Sequence, residues 1–444
     1  MKAPGLLEHP FRDGYASRLG ALPGGAHAWL DGLRQGARSA LSGGLPGPRE
    51  EVWRFTPLRG LSKIPFIPAI AADDVDVAEV PRPVPSIAGA ARVVLVNGVY
   101  RGDLSDSDFG DGVSVRDMHS VLAAPGEDAQ SVIGRLASPK DAPLVALNTA
   151  YMSDGLMINV KPGVTAPKTT HIVSIGAAGA EPVAFHPRVM IDAEDGANIT
   201  IVESHVGLPG QPYFSNPVAE IAVGRNATVR RYVNVAEDNE AFHISTTSAE
   251  VMGGGAYHGF HLSLGGALVR QEINVAFKEE GGEAKVNGAY ALTGSSHHDF
   301  TTFMDHSVPA CTSDQVFKGV VDDKAHGVYQ GRILVARNAQ KTDARQLHKA
   351  LFLSRGPQVD CKPELEIYAD DVQCAHGATT GEIDTEQLFY LTSRGIDPDT
   401  ARSLLVEGFL ADAVGKIEDE NVRELFAADI SGWLRRREIR SASQ

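Results

Sequence analysis

Asp195-Gly196-Ala197 before NITIVE (198–203), Gly224-Arg225-Asn226-Ala227 before TVRRYV (228–233), Gly253-Gly254-Gly255-Ala256 before YHGFHL (257–262) and Gly281-Gly282-Glu283-Ala284 before KVNGAY (285–290) repeat one pattern. Each is a corner of small, turn-forming residues that opens a short strand. The corners recur about every 30 residues, a pitch typical of repeat architectures. One such unit cannot bury its inner face alone, so neighbouring units must stack. A small-residue corner followed by a strand at that pitch predicts the coils of a β-helix. A pair of β-sandwiches is the competing all-β arrangement, and the recurring corner favours the helix.

Upstream, the same two-residue period runs back to about Ala91, through RVVLVNGVYRG (92–102), GLMINVKPG (155–163), THIVSIG (170–176) and RVMIDA (188–193). A helical insertion is expected from Ser131 to about Met152. Residues 1 to about 85 read as helical and irregular. Ala26 to Leu41 has helical spacing, with Trp29, Leu33 and Ala37 on one stripe. A breaker-rich linker follows from Ser42 to Pro48, and then Trp53, Phe55 and Leu58 form an apolar knot that docks this arm onto the body.

Downstream of His376 the helical period returns. Asp384 is a good N-cap with Gln387 in the capping-box position, and Gly395 is a natural stop. Asp397-Pro398 opens a second helix to about Val414, and a third runs from about Asn421 to Arg437. Phe389, Leu404, Phe409, Leu410 and Phe426 are more apolar surface than so short a segment buries internally. They pack on each other and on the end of the β-helix, or form a docking face for a partner. The expected organisation is a helical region 1–85, a β-helix core 86–378 and a C-terminal helical domain 379–444.

The chain of 444 residues is 43% hydrophobic and 22% charged, an ordinary composition for a chain with a large core. Its formal net charge of −15 argues against nucleic-acid binding, which needs clustered cations. The one basic run, Arg435-Arg436-Arg437, reads as a solvated helix end. Cys311, Cys361 and Cys374 are the only cysteines, and no C-x-x-C is present, which fits a reducing compartment. MKAPGLLEHP lacks the apolar core of a signal peptide, and no apolar run reaches membrane-spanning length. A cytoplasmic location without membrane contact is expected. No phosphate loop, nucleophile elbow or H-E-x-x-H helix is written in the chain, so ATP hydrolysis would have to come from another subunit.

The stretch that carries chemistry is PELEIYADDVQCAHG, Pro363 to Gly377. It begins as a strand, turns at Asp370-Asp371 and reaches Cys374 and His376. In an extended segment those two leave on the same face. A thiol beside an imidazole is half of a transition-metal site, so further ligands would have to come from elsewhere. A denser group, His297-His298-Asp299 with Asp305-His306 and Cys311, is irregularly spaced and reads as a solvated, turn-rich loop. His258, His261, His326 and His348 read as scattered surface or strand residues, and Cys361 as a small buried hydrophobe.

PELEIYADDVQCAHGAT followed by EQLFYLTSRGI resembles the SufB/SufD family of iron–sulfur cluster assembly proteins. So do AQKTDARQ (339–346), ALFLS (350–354), ALNTAYMSDGLMI (146–158) and WRFTPL (53–58). WRFTPL and the CAHGAT ending favour its SufD branch. The resemblance implies a mainly β fold, with a right-handed parallel β-helix core between N-terminal and C-terminal α-helical subdomains. It implies a non-catalytic scaffold that pairs with SufB through edge strands of the β-helix and recruits the ATPase SufC through its C-terminal helices. It also implies that His376 shares iron or a transient iron–sulfur cluster with SufB, with Cys374 beside it in a less defined role. A flavin joins the complex in some members, which these residues do not predict, and homodimerisation in isolation is left open. The rival from another class is a β-helix enzyme acting on polysaccharide, which needs paired carboxylates and, normally, an export signal.

Overall fold

The structure is a computed structural model that describes residues 19–25, 27–41, 44–69, 86–124, 126–140 and 142–442. The MKAPGLLEHP segment, Ala26 and Ser42-Gly43 of the expected linker lie outside the described residues.

The repeating corners do what their composition predicts. Gly196, Asn226, Gly254 and Gly281 occupy the left-handed region with φ of 73°, 55°, 65° and 78°. Successive corners stack through backbone bonds: the amide of Gly196 donates to the carbonyl of Arg225, that of Asn226 to Gly253, and that of Gly254 to Glu280. At Gly254 a Cβ would meet Asn226 Oδ1 at 2.4 Å, so a side chain is excluded by space as well as by φ.

Each coil contributes one strand to each of two sheets. The main path of the first sheet runs Val113–Asp117, Gly155–Val160, Arg188–Ala193, Val218–Val223, Phe242–Val251, Leu268–Phe277, His297–His306, His326–Val335 and Gln358–Ile367. The second runs Val99–Tyr100, Ala91–Val96, Thr170–Gly176, Asn198–Gly207, Thr228–Ala236, Ala256–Ser263, Glu283–Leu292, Thr312–Val321, Asp343–Phe352 and Gln373–Glu382. Pairing is parallel along both paths except at their N-terminal edges. The result is a parallel β-solenoid of about eight turns. Its interior is filled by alternate residues of both sheets, such as Ile199, Ile201, Val229, Tyr257 and Phe317 from one and Ala249, Val251, Ile273, Phe300 and Ile333 from the other.

The helical insertion is shorter than the sequence suggests: helices cover Glu127–Val132 and Pro143–Tyr151, divided by a turn around Gly134 (φ 76°). The N-terminal arm docks on the outer face of the first sheet. Trp53, Leu58, Leu61 and Phe66 pack against Phe214, Phe242, Ile244 and Leu268. The Arg270 guanidinium lies 4.0 Å from the Trp53 ring centroid, and the Thr56 hydroxyl donates to buried Asp299. Helix Ala28–Ala40 buries Leu30, Arg34 and Ala37, so the stripe sits one residue over from the one expected at its start.

The C-terminal helices Thr385–Thr392, Pro398–Val414 and Glu420–Ala442 form on their expected signals, with the Asp384 and Asp397 carboxylates accepting from first-turn amides. Their placement corrects the expectation of packing on the β-helix end. Val406, Leu410, Phe426 and Trp433 lie against Tyr232, Phe260, Leu262 and Val320, on the outer face of the second sheet. Polar ties reinforce this: Lys318 to Asp412 at 2.5 Å, Asn234 to Asp429 at 2.6 Å, and Arg437 to Asp322 at 2.6 Å. Arg437 is therefore ion-paired rather than solvated. Helices cover the sides of the solenoid, and among the described residues no strand pairs with the outer edge of its last coil.

Candidate functional site

The last coil is built from strands Gln358–Ile367 and Gln373–Glu382, each the terminal strand of its sheet. Register places Cys374 beside Ala344 and His376 beside Gln346, and both neighbours are buried in the preceding coil. Cys374 packs half-buried on the end of the solenoid core, as does Cys361 from the other sheet. His376 is two residues on from Cys374, so it leaves on the same face, and it is exposed. The expected pairing of thiol and imidazole on one face of an extended segment is thus what the backbone provides. Cys361, on the opposing strand, joins them at the same end.

Burial pushes the Cys361 thiol up to about 11 and raises Cys374 as well. Both stay protonated near neutrality, so metal capture there needs a cation that displaces the proton. All three cysteines are free, and Cys311 is fully buried among core residues.

The histidine-rich group is a correction. His297–His306 is a regular strand, not a solvated loop, because the Gly294 corner (φ 68°) opens another coil. Alternation sends His298 and His306 inward to the hydroxyls of Ser263 and Ser313 at 2.8 and 2.9 Å. Asp299 points outward and is buried beneath the N-terminal arm with Arg270. His261 and His348 are also fully buried, bonded to Gln271 Oε1 at 2.8 Å and the Tyr290 hydroxyl at 3.0 Å.

Sequence reading missed a polar lane inside the solenoid. Glu203 and His205 follow Ile199 and Ile201 on the inner face of one strand, and Arg231 follows Val229 on the next. Glu203 takes two bonds from Arg231, at 2.7 and 2.9 Å. Among the described residues, one group of three side chains has metal-ligating atoms all within 4.8 Å of one another: His205, Glu237 and His243. No motif spacing marks it; the signal was an acid and two histidines at inward strand positions and a corner.

On the C-terminal helices, Phe389 is 71% exposed, Tyr390 53% and Leu404 46%, whereas Leu410 and Phe426 are fully buried. Phe409 is half-buried, with the Lys318 ammonium 4.6 Å from its ring centroid. The expected apolar excess therefore divides: part anchors the helices to the sheet, and Phe389 and Leu404 remain outside, joined by Tyr390, which was not among the expected residues.

Two family models match the chain: the SufBD protein N-terminal region over residues 7–172, and the SufBD core domain of the SUF system for FeS cluster assembly over residues 175–409. The chain belongs to the SufB/SufD family. The iron–sulfur cluster assembly protein SufD of Escherichia coli is 30% identical over 404 residues, covering 90% of this chain and 92% of that one. A SufBD family protein of Synechocystis is 30% identical over 394 residues, covering 86% of each chain. A third, from Mycobacterium leprae, is 28% identical over 407 residues. Membership of the SufB/SufD family supports a role in iron–sulfur cluster assembly within a SUF complex. The polysaccharide-enzyme alternative is not favoured. No helix among the described residues is long and apolar enough to cross a membrane.

Proposed function

We propose that this chain is a non-catalytic scaffold subunit for iron–sulfur cluster assembly, and that the open last coil is where a SufB-type partner continues the solenoid. The observation that carries the reading is the combination at that coil. Two ten-residue strands present free edges, with exposed His376 and half-buried Cys374 on the core-facing side. Unpaired edges of that length are a standing invitation to pair, and elsewhere the chain covers its sheets with helices. His376 offers a nitrogen ligand to the iron or nascent cluster that is the complex's cargo, and ligands from the partner complete the coordination.

The second half of the proposal places a SufC-type ATPase on the C-terminal helices, at Phe389, Tyr390 and Leu404. These side chains lie outside the buried anchor that holds the helices to the second sheet. Nucleotide-driven movement of that subunit would then reach the shared edge through the helices. Three free cysteines suit a reducing compartment, which supports a cytoplasmic location for the assembly.

The test is anaerobic purification of the chain with its co-expressed partners, followed by iron and sulfide analysis. His376→Ala is expected to leave the complex assembled and lower its iron and sulfide content. Unchanged content in the assembled variant would remove His376 from the site.

A further inference from the structure

We infer that His205, Glu237 and His243 form a binding site for a divalent first-row transition cation inside the solenoid, separate from the open coil. The three side chains come from three places: strand Asn198–Gly207, the corner after strand Thr228–Ala236, and the start of strand Phe242–Val251. All are buried, at 5%, 3% and 0% exposure, and their ligand atoms lie within 4.8 Å of one another. The two imidazole rings are 4.9 Å apart at an interplanar angle of 75°.

What points to a ligand is the set of atoms left without hydrogen bonds at the centre. They are His205 Nδ1, Glu237 Oε2 and both ring nitrogens of His243. His243 Nδ1 lies 3.5 Å from Glu237 Oε1 without making a hydrogen bond to it. Buried polar atoms are normally satisfied, and each orphan is destabilising. One nitrogen from each ring and the carboxylate are a set that a single cation can take at once. The neighbouring Tyr213 hydroxyl is also buried and borders the same carboxylate.

The surroundings also orient a ligand. His205 Nε2 lies 3.4 Å from Glu203 Oε2. The Glu203 carboxylate accepts two bonds from the buried Arg231 guanidinium and is held as an anion by that pair. An ionised carboxylate only accepts, so Nε2 carries the proton and donates. That leaves the Nδ1 lone pair of His205 facing the centre. A carboxylate behind a histidine whose other nitrogen is free is the usual support for a metal-ligating imidazole. Two imidazoles and one carboxylate suit Zn2+ and Fe2+ alike, and leave a position for water or an exchangeable group. A surface groove lies at the same corner. Walled by Asn239, Glu240, Gly265 and Gly266, it brings Gly265 against the Glu237 backbone carbonyl.

The experiment uses the full chain carrying Cys374→Ser and His376→Ala, so that the open coil does not contribute. The chelated protein is dialysed against Zn2+, and bound metal is measured per folded chain. Co2+ is added separately as a spectroscopic probe. The expected result is one equivalent of Zn2+ and Co2+ ligand-field bands without a thiolate charge-transfer band. In Glu237→Gln and His243→Gln, affinity should fall at least tenfold. Glu237→Gln keeps the side-chain volume and removes a buried carboxyl, so its fold should persist where His243→Gln is less stable. Absence of bound Zn2+ in the folded parent would overturn the inference. So would equal binding by the parent and Glu237→Gln.

Discussion

At the scale of the residue, two histidines of the same chain have opposite surroundings. His376 is exposed at an edge with few contacts, so His376→Ala should change stability by less than about 0.5 kcal/mol while lowering the iron content of the assembled complex. Thermal unfolding of the variant checks the first part and metal analysis the second. His298 is sealed between Ser263 and the Gly266 carbonyl, and nothing in its local sequence marks that burial. The reason is that H-H-D at 297–299 sits where strand alternation, not polarity, decides the side. A reading that equates charge density with solvent must fail there. The shared face of Cys374 and His376 was legible for the converse reason: a C-x-H spacing in an extended segment fixes one face without knowledge of what lies opposite.

At the scale of the element, the C-terminal helices separate anchor from surface. Leu410→Ala or Phe426→Ala should cost about 2–5 kcal/mol, because each empties a packed site against the second sheet. Under the proposed docking of a SufC-type subunit, Phe389→Asp should leave stability nearly unchanged and weaken that association, which a pull-down beside a denaturation curve would separate. Asp384→Ala removes a carboxylate that accepts from the amides of Glu386 and Gln387, and should cost about 1 kcal/mol of local stability, read by amide exchange in helix Thr385–Thr392. Helix starts and stops were readable because caps are local chemistry. Which face each helix buried was not, because the second sheet that receives Leu410 and Phe426 is remote in sequence. The coils were readable from their corners, since Gly196, Asn226, Gly254 and Gly281 mark a backbone conformation that few residues adopt.

At the scale of the whole molecule, the solenoid is a stack of parallel strands with many neutral histidines sealed inside it or beneath the elements that cover it. Burial lowers His171, His261, His306 and His348 to about 4 and His186 and His298 to about 3, against an ordinary value near 6.5. Below pH 6.5 the unfolded chain takes up protons that the folded chain refuses, so stability falls with pH until about pH 4, where the folded groups titrate too. Denaturation midpoints measured between pH 7 and 4.5 should drop steadily, with net proton uptake on unfolding; a flat profile would mean these rings are hydrated in the native state. The same stacking leaves one end unfinished, and amide hydrogen exchange reads it most directly. Strands Gln358–Ile367 and Gln373–Glu382 should be compared in the monomeric chain and in the complex with a SufB-type partner. Slowed exchange confined to those strands on complex formation is the predicted result, and unchanged exchange there, with protection appearing elsewhere, would contradict it.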